Sequence, residues 1–191
     1  MGYKIILASA SPRRKELLKK IVRDFRVITG GVDEASIKAA SPLLFARKAA
    51  ILKAKAVAAK HNNSIVIGAD TIVLLGKKIL GKPKNKKEAI AMLTSLAGRT
   101  HRVITGIAVI FPGLKVVSDV AVTKIKTKKV SAEEILDYVN TGRPLDKAGA
   151  YGIQEIEEIF IDKIDGDYEN VVGLPVFKLK KILARRTKHL C

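Results

Sequence analysis

An α/β protein is the fold class this chain predicts, and three observations carry the prediction. Segments of strand character alternate with segments of helical periodicity along most of the length, as they do where helices cover the faces of a sheet. The run Ser64 to Leu75 is apolar almost throughout, the pattern of a strand buried on both faces. With 191 residues and 48% hydrophobic content, the chain can bury a core and is read as a single domain, 1–191, of two lobes.

The first strand, Tyr3 to Leu7, leads through the small residues Ala8, Ser9 and Ala10 to a helix whose apolar face is Leu17, Leu18, Ile21 and Val22. Ser11 is placed to cap that helix, and Pro12 suits its first position because proline lacks the N–H that would have no helical partner there. A strand, a small-residue loop and a helix start make an anion site, since free amides and the positive end of the dipole face the loop. Arg13 and Arg14 sit in the first turn, where the dipole opposes basic residues, and their guanidinium forks match phosphate oxygens. Residues 9–14 are therefore read as a polyphosphate pocket, with Ser9, Ser11, Arg13 and Arg14 as its lining.

Phe25 to Thr29 is a short strand candidate, followed by Gly30 and Gly31, which free the backbone to turn and leave Asp33 and Glu34 on a loop. Ser41-Pro42 repeats the cap-and-proline start, opening an alanine- and lysine-rich helix to about Lys60. In the strand Ser64 to Leu75, Asp70 interrupts the apolar run. An unpaired carboxylate there would lose several kcal/mol of hydration unless a cation or donors compensate, which makes it the leading functional candidate. Gly76 to Pro83 nearly spells a phosphate loop, but Pro83 has no hydroxyl for a metal and the next helix opens later, at the cap Asn85 with Glu88. What remains is a hairpin turn at Gly76 and a loop that delivers Lys82 on a strongly basic rim.

A helix from Lys86 to Ala97 ends at Gly98, and strands His101 to Phe111 and Lys115 to Lys128 follow as a hairpin through Pro112-Gly113. Ser131 to Glu134 is a capping box opening a helix to about Asn140. Residues 143–154 break all periodicity; Gly149 and Gly152 permit a backbone that hugs a ligand, with Asp146, Lys147 and Gln154 supplying polar contacts. Ile159 to Ile164 is a last strand candidate, Asp165-Gly166 a turn, and Leu174-Pro175 starts a final amphipathic helix whose basic end, Lys178 to Lys188, is expected to fray.

Composition narrows the class further. No apolar run approaches the ~20 residues of a membrane span and no signal peptide is evident, so a cytoplasmic location is expected. The single cysteine, Cys191, excludes disulfides and thiolate metal sites, and His61, His101 and His189 form no ligand motif. A metal, if used, is a hard cation on carboxylates and phosphate. The net charge of +18 suits either an anionic small substrate or nucleic acid bound non-specifically; with 5% aromatics and no Trp, stacking platforms for single strands are scarce.

Taken together, Leu-Ala-Ser-Ala-Ser-Pro-Arg-Arg (7–14), Val-Asp-Glu (32–34), Gly-Ala-Asp-Thr (68–71), Gly-Lys-Pro (81–83), Thr-His-x-Val-x-Thr-Gly (100–106), Asp-Lys-Ala-Gly-Ala-Tyr-Gly-Ile-Gln (146–154) and Val-Val-Gly-Leu-Pro (171–175) resemble the Maf family over nearly the whole chain. The resemblance implies a nucleoside triphosphate pyrophosphatase of the house-cleaning type. Its fold would be a two-lobed, mixed-sheet one, like that of the inosine triphosphate pyrophosphatases, with an active-site cleft between the lobes. It also implies a divalent cofactor, Mg²⁺ or Mn²⁺, and a homodimer. By motif position, Asp70 resembles the catalytic carboxylate, Glu34 with Asp70 the metal ligands, and Arg13, Lys53, Lys82 and Gln154 the substrate lining. Arg13, Thr71 and Gln154 resemble the branch that prefers dTTP and UTP over 7-methyl-GTP. Arg143 stands where members commonly carry an acid and is assigned no role. The competing class is a basic nucleic-acid-binding or cell-division regulatory protein without hydrolase activity.

Overall fold

The strand and helix alternation is realised in a computed structural model that describes residues 3–113 and 115–187. In order these form β1 (Lys4–Leu7), α1 (Pro12–Lys19), β2 (Arg26–Val27), α2 (Pro42–Ala58), β3 (Ser64–Leu75), β4 (Lys78–Leu80), α3 (Lys86–Leu96), β5 (Thr100–Phe111), β6 (Lys115–Thr127), α4 (Ala132–Asn140), α5 (Ile153–Phe160), β7 (Ile161–Asp165), α6 (Tyr168–Val172) and α7 (Val176–Thr187). The strands make one sheet in the order β2-β1-β3-β5-β6-β7, with β4 added to β3. It is mixed: β1 pairs in parallel with β2 and β3, whereas β4 on β3 and β7 on β6 are antiparallel. Among the described residues no helix is long and apolar enough to cross a membrane.

Two compact units divide the chain, and the divisions fall inside strands β3, β5 and β6. The first unit takes the described residues of Met1–Asp70, Thr105–Ala121 and Gly173–Cys191. Its core packs Ile6, Ala8, Val66, Ala108 and Ile110 of the sheet against Ala50, Ala54, Val57 and Ala58 of α2. That helix starts as expected, with Ser41 accepting a hydrogen bond from the Leu44 amide and proline in the first turn. Its buried face is alanine at 46, 49, 50, 54 and 58, so nothing bulky holds its backbone off the sheet. Gly68 completes the approach: a Cβ there would lie 2.9 Å from the Ala54 amide nitrogen and closer still to the Ala50 carbonyl oxygen. Gly106 meets the backbone of Ala46 in the same way. Gly30, expected as a turn residue, does not use a left-handed conformation; it is small because a Cβ would fall 2.7 Å from the Ala56 methyl.

The second unit takes Thr71–Ile104 and Val122–Val172. Here β4 folds back on β3 through Gly76 at φ +59°, and Asn85 caps α3 through the Glu88 amide. Glu88 does not return the bond to Asn85 but accepts from the Lys84 amide at 2.7 Å, one residue upstream. The capping box of α4 is complete, with Ser131 and Glu134 bonded reciprocally. Thr123, Ile125 and Thr127 are buried while Lys124, Lys126 and Lys128 are exposed, the alternation expected of a strand wet on one face. Asn170 joins two strands from the interior, its Nδ2 donating to the Val103 carbonyl and to Thr123 Oγ1.

Three expectations are corrected. Ile159 and Phe160 end a helix, α5, instead of starting a strand; Ile153, Ile156 and Phe160 are its buried residues, of which only Ile153 falls in the stretch 143–154 that shows no periodicity in the sequence. The short α6 had no counterpart in the sequence reading. The basic end from Lys178 stays helical through Thr187 rather than fraying, because Leu179 is fully buried and Lys178 is tied to Asp119 and to the Val120 carbonyl. Lys188, His189 and Cys191 lie outside the described residues.

Candidate active site

In the first unit, β1 ends side by side with β2 and against β3, which runs on past them. Leu7 is registered with Val27 on one side and with Ile67 on the other, and beyond the registered pairs the Ala8 amide donates to the Ile67 carbonyl and the Ile28 amide to the Leu7 carbonyl. The loop after β1 carries Ser9 to Arg14, the segment after β2 carries Asp33 and Glu34, and β3 continues to Asp70 three residues past the register. The carboxyl end of parallel strands is where open α/β sheets bind ligands, because the chain must leave the sheet there and expose its amides.

The loop after β1 is organised by its own side chains. Ser9 Oγ is buried and accepts from the Ser11 amide at 3.3 Å and from Arg14 Nη1 at 3.2 Å. Ser11 Oγ accepts from the Arg14 amide, the expected cap. Arg14 also donates from Nε to the Gly173 carbonyl at 2.8 Å, so part of the fork read as a phosphate ligand is instead a tether between this loop and the approach to α7. Burial lowers its pKa, opposed by the nearby charges of Asp70 and Glu34 and reinforced by Arg13. These charges share one neighbourhood. Arg13 is half-buried on the first turn of α1.

Lys53, on α2, joins the two acids. Its Nζ lies 2.6 Å from Asp70 Oδ1 and 2.7 Å from Glu34 Oε1. The close approach at Gly68 explains the reach: Ala50 and Ala54 touch β3 two residues before Asp70, which brings the adjoining Lys53 over the carboxylate. The Asp70 side chain is only 7% exposed, while that of Glu34 is 48% exposed at the start of a 3-10 turn capped by Asp33. Asp70 Oδ2 is buried and has no hydrogen-bond partner among the described residues. A buried carboxylate oxygen without a donor is costly, and one beside a cation and an open loop is placed for chemistry.

The remaining candidates belong to the second unit. Thr71 is half-buried, and Lys82 and Gln154 are exposed. The loops carrying Lys82 and Gln154 are tied together there, because the Gly149 amide donates to the Gly81 carbonyl at 3.0 Å. Gly149 has φ +71° and no room for a Cβ against Val73, and Ala150 follows at φ +62°, the one non-glycine residue with positive φ among the described residues, a strained conformation for a side chain.

Lys147 and Asp146, expected to touch a ligand, are used internally. Lys147 is buried, and its Nζ donates to the Arg143 carbonyl at 2.6 Å and Asp146 Oδ1 at 2.7 Å and pairs with Glu155 Oε1 at 3.1 Å. Tyr138 completes the network, donating to Glu155 Oε2 and accepting from the Gly152 amide, with its pKa raised by burial. His101 is buried against Tyr151, 2.7 Å from Nε2 to the hydroxyl, and burial lowers its pKa to about 4. No sequence signal separates a buried lysine such as Lys147 from a solvated one; only the packing shows that the loop holds its own charges.

Among the described residues no group of three or more His, Cys, Asp or Glu side chains could hold a metal ion. Two carboxylates do converge on one cation, the Lys53 ammonium. That donor set fits a hard divalent ion which takes its other positions from phosphate oxygens and water. Glu34 and Asp70 are the residues that would hold it.

The chain is similar to known proteins in sequence and in fold. A family model described as Maf-like protein matches residues 4–186. A dTTP/UTP pyrophosphatase of Thermoanaerobacter sp. (strain X514) is 49% identical over 95% of this chain and 96% of its own. The dTTP/UTP pyrophosphatases of Dictyoglomus thermophilum and Koribacter versatilis are 46% and 44% identical, each over 97% of this chain and over 97% and 95% of their own lengths. Among solved structures, the Staphylococcus aureus Ham1 protein has a TM-score of 0.55 at 18% identity, covering 95% of this chain and 98% of that one. A HAM1 protein from Coxiella burnetii has a TM-score of 0.51 at 16% identity, over 96% of this chain and 100% of that one.

Proposed function

Because the chain belongs to the Maf-like protein family, we propose that it is a nucleoside triphosphate pyrophosphatase that cleaves dTTP and UTP to the monophosphate and pyrophosphate. The observation that carries the reading is the Asp70–Lys53–Glu34 cluster, with the loop that follows β1 and bears Arg13 and Arg14 next to it at the carboxyl ends of β1 and β2. Cleavage between the α- and β-phosphates requires water aimed at the α-phosphorus. A P–O bond forms to that water as the bond to the bridging oxygen breaks and pyrophosphate leaves. The bare Oδ2 of Asp70 is the acceptor for the water's proton. Amides of the loop after β1 and Arg13 hold phosphate oxygens, and Lys53 neutralises charge that builds on them. Glu34 and Asp70 would hold Mg²⁺ or Mn²⁺, which when bound supplies further positive charge at the phosphates. Lys82 and Gln154 contribute to substrate binding, and Thr71 with them to the choice of pyrimidine.

The chain is proposed to act in the cytoplasm as a homodimer. Nucleic acid is not a specific partner, and any binding of it is the non-specific attraction of basic residues, which the first unit concentrates with 21 of the 36 Lys and Arg but only 6 of the 18 acids.

The test is a panel of canonical and modified triphosphates with Mg²⁺ or Mn²⁺, products resolved by chromatography. dTMP and UMP with equimolar pyrophosphate are expected. Release of orthophosphate, or a purine triphosphate turned over far faster, would overturn the reading. Steep loss of DNA binding with added salt, without any nucleotide hydrolysis, would favour the nucleic-acid-binding class instead.

A further inference from the structure

We propose that Lys53 is a resident counter-cation that keeps divalent ions off the free protein, so that the substrate taken up is the metal–triphosphate complex and not the nucleotide and the ion in turn. The inference rests on the divalent-dependent reading above and deepens it. One ammonium holds both carboxylates that would hold the metal, at 2.6 and 2.7 Å, and occupies one oxygen of each. Lys53 is itself 19% exposed and Asp70 7%, so that attraction is little screened by water, whereas Glu34 is 48% exposed and adds less.

Charge accounting points the same way. Lys53, Arg13 and Arg14 face Glu34 and Asp70, leaving one net positive charge in a neighbourhood where these groups already influence one another. A divalent ion entering alone would raise that to three and would have to evict an ammonium from two short contacts. A triphosphate arriving with its ion brings about four negative charges, enough to accept both the ion and the displaced lysine. Lys53 is suited to the exchange. Its flexible four-carbon stem lets Nζ leave the carboxylates for a phosphate oxygen while α2 stays packed on Gly68. Lys147 shows the opposite condition, a lysine locked by a third acceptor, the Arg143 carbonyl.

Thermodynamic linkage makes the effect reciprocal. If the nucleotide tightens the ion, the ion tightens the nucleotide by the same factor, of order tenfold or more. The experiment is Mn²⁺ binding to the full chain, followed by the loss of the free-ion electron paramagnetic resonance signal and by calorimetry. Samples are the wild type alone, the wild type with a non-hydrolysable α,β-imido dTTP, the analogue without protein as the reference for the ion it chelates itself, and Lys53→Gln and Lys53→Arg alone. Expected are weak Mn²⁺ uptake by the wild type and by K53R, and uptake at least about tenfold tighter by K53Q and, beyond the analogue-only reference, by the wild type with the analogue. Should K53Q fail to fold, Lys53→Met takes its place, and uptake by the folded variant no tighter than by the wild type would overturn the proposal. Mn²⁺ bound by the wild type alone as tightly as with the analogue would overturn the proposal while leaving the divalent reading intact. No uptake in any sample would overturn both.

Discussion

Lys53 in the first unit and Lys147 in the second each hold two carboxylates, at 2.6 and 2.7 Å for one and at 2.7 and 3.1 Å for the other. The difference lies in what surrounds them. Around Lys147 the accounts close: its ammonium has three acceptors, Glu155 has a second donor in Tyr138, and the Tyr138 hydroxyl accepts from the Gly152 amide. Around Lys53 they do not, because Asp70 keeps one buried oxygen with no donor. A saturated ion cluster holds a loop in place, whereas an unsaturated one at the mouth of parallel strands is prepared to receive something.

The largest expected effect is at the unsaturated side. Asp70→Asn should cut pyrophosphate release from dTTP by roughly 10³-fold while the thermal midpoint stays near that of the wild type, since the amide fills the same space. Near-normal turnover in this variant would remove Asp70 from the chemistry. Next comes the direct contrast between the lysines. Lys147→Met leaves two acids without their ammonium and should lose about 3 kcal/mol of stability, or very roughly 6–12 °C in Tm, with no recovery on adding Mn²⁺. Lys53→Gln should lose turnover, and Mn²⁺ should raise its Tm by several degrees, since an ion that binds only the folded state stabilises it. Equal behaviour of the two variants toward Mn²⁺ in a thermal melt would erase the distinction.

A smaller and pH-dependent effect belongs to the second unit. Burial holds the pKa of His101 at about 4 against 6.5 for a free imidazole. Between these values the unfolded chain binds a proton that the folded chain refuses, so this contribution to stability is intact above pH 6.5 and declines as pH falls, by about 3 kcal/mol near pH 4. Urea unfolding at pH 7.5, 5.5 and 4.5 should show that slope, and His101→Gln should flatten it. The smallest effect is expected at Arg14→Lys, which cannot reproduce the bonds to Ser9 and Gly173 together and should cost about 1 kcal/mol by urea unfolding.

Much of this arrangement was legible in the sequence, for reasons that differ by residue. Ser11, Ser41, Asn85 and Ser131 cap their helices because capping is a local reaction of a side chain with amides two or three residues on, and local chemistry survives any tertiary context. Asp70 stood out because a charge inside a strand buried on both sides violates the apolar pattern. The helix α5 was hidden because glycines and a strained alanine precede it, it spans only eight residues with a non-helical Ile156 inside it, and the run Ile159-Phe160-Ile161 at its end has strand character. The fate of Lys147 and of the Arg14 fork could not be read at all: Lys147 meets Asp146 and Glu155 only because the irregular segment around it folds back on itself, and Arg14 finds its acceptor at Gly173, 159 residues on.

That long reach of Arg14 has a consequence for how the protein comes into being. Its acceptor, Gly173, begins the last segment of the first unit, so the strands and loops made earliest wait for the final stretch of translation before their tether exists. Every residue of the second unit has by then been synthesised, while the first unit still lacks its closing segment. A chain released short of residue 173 would carry the whole second unit and leave Arg14 without its distant acceptor.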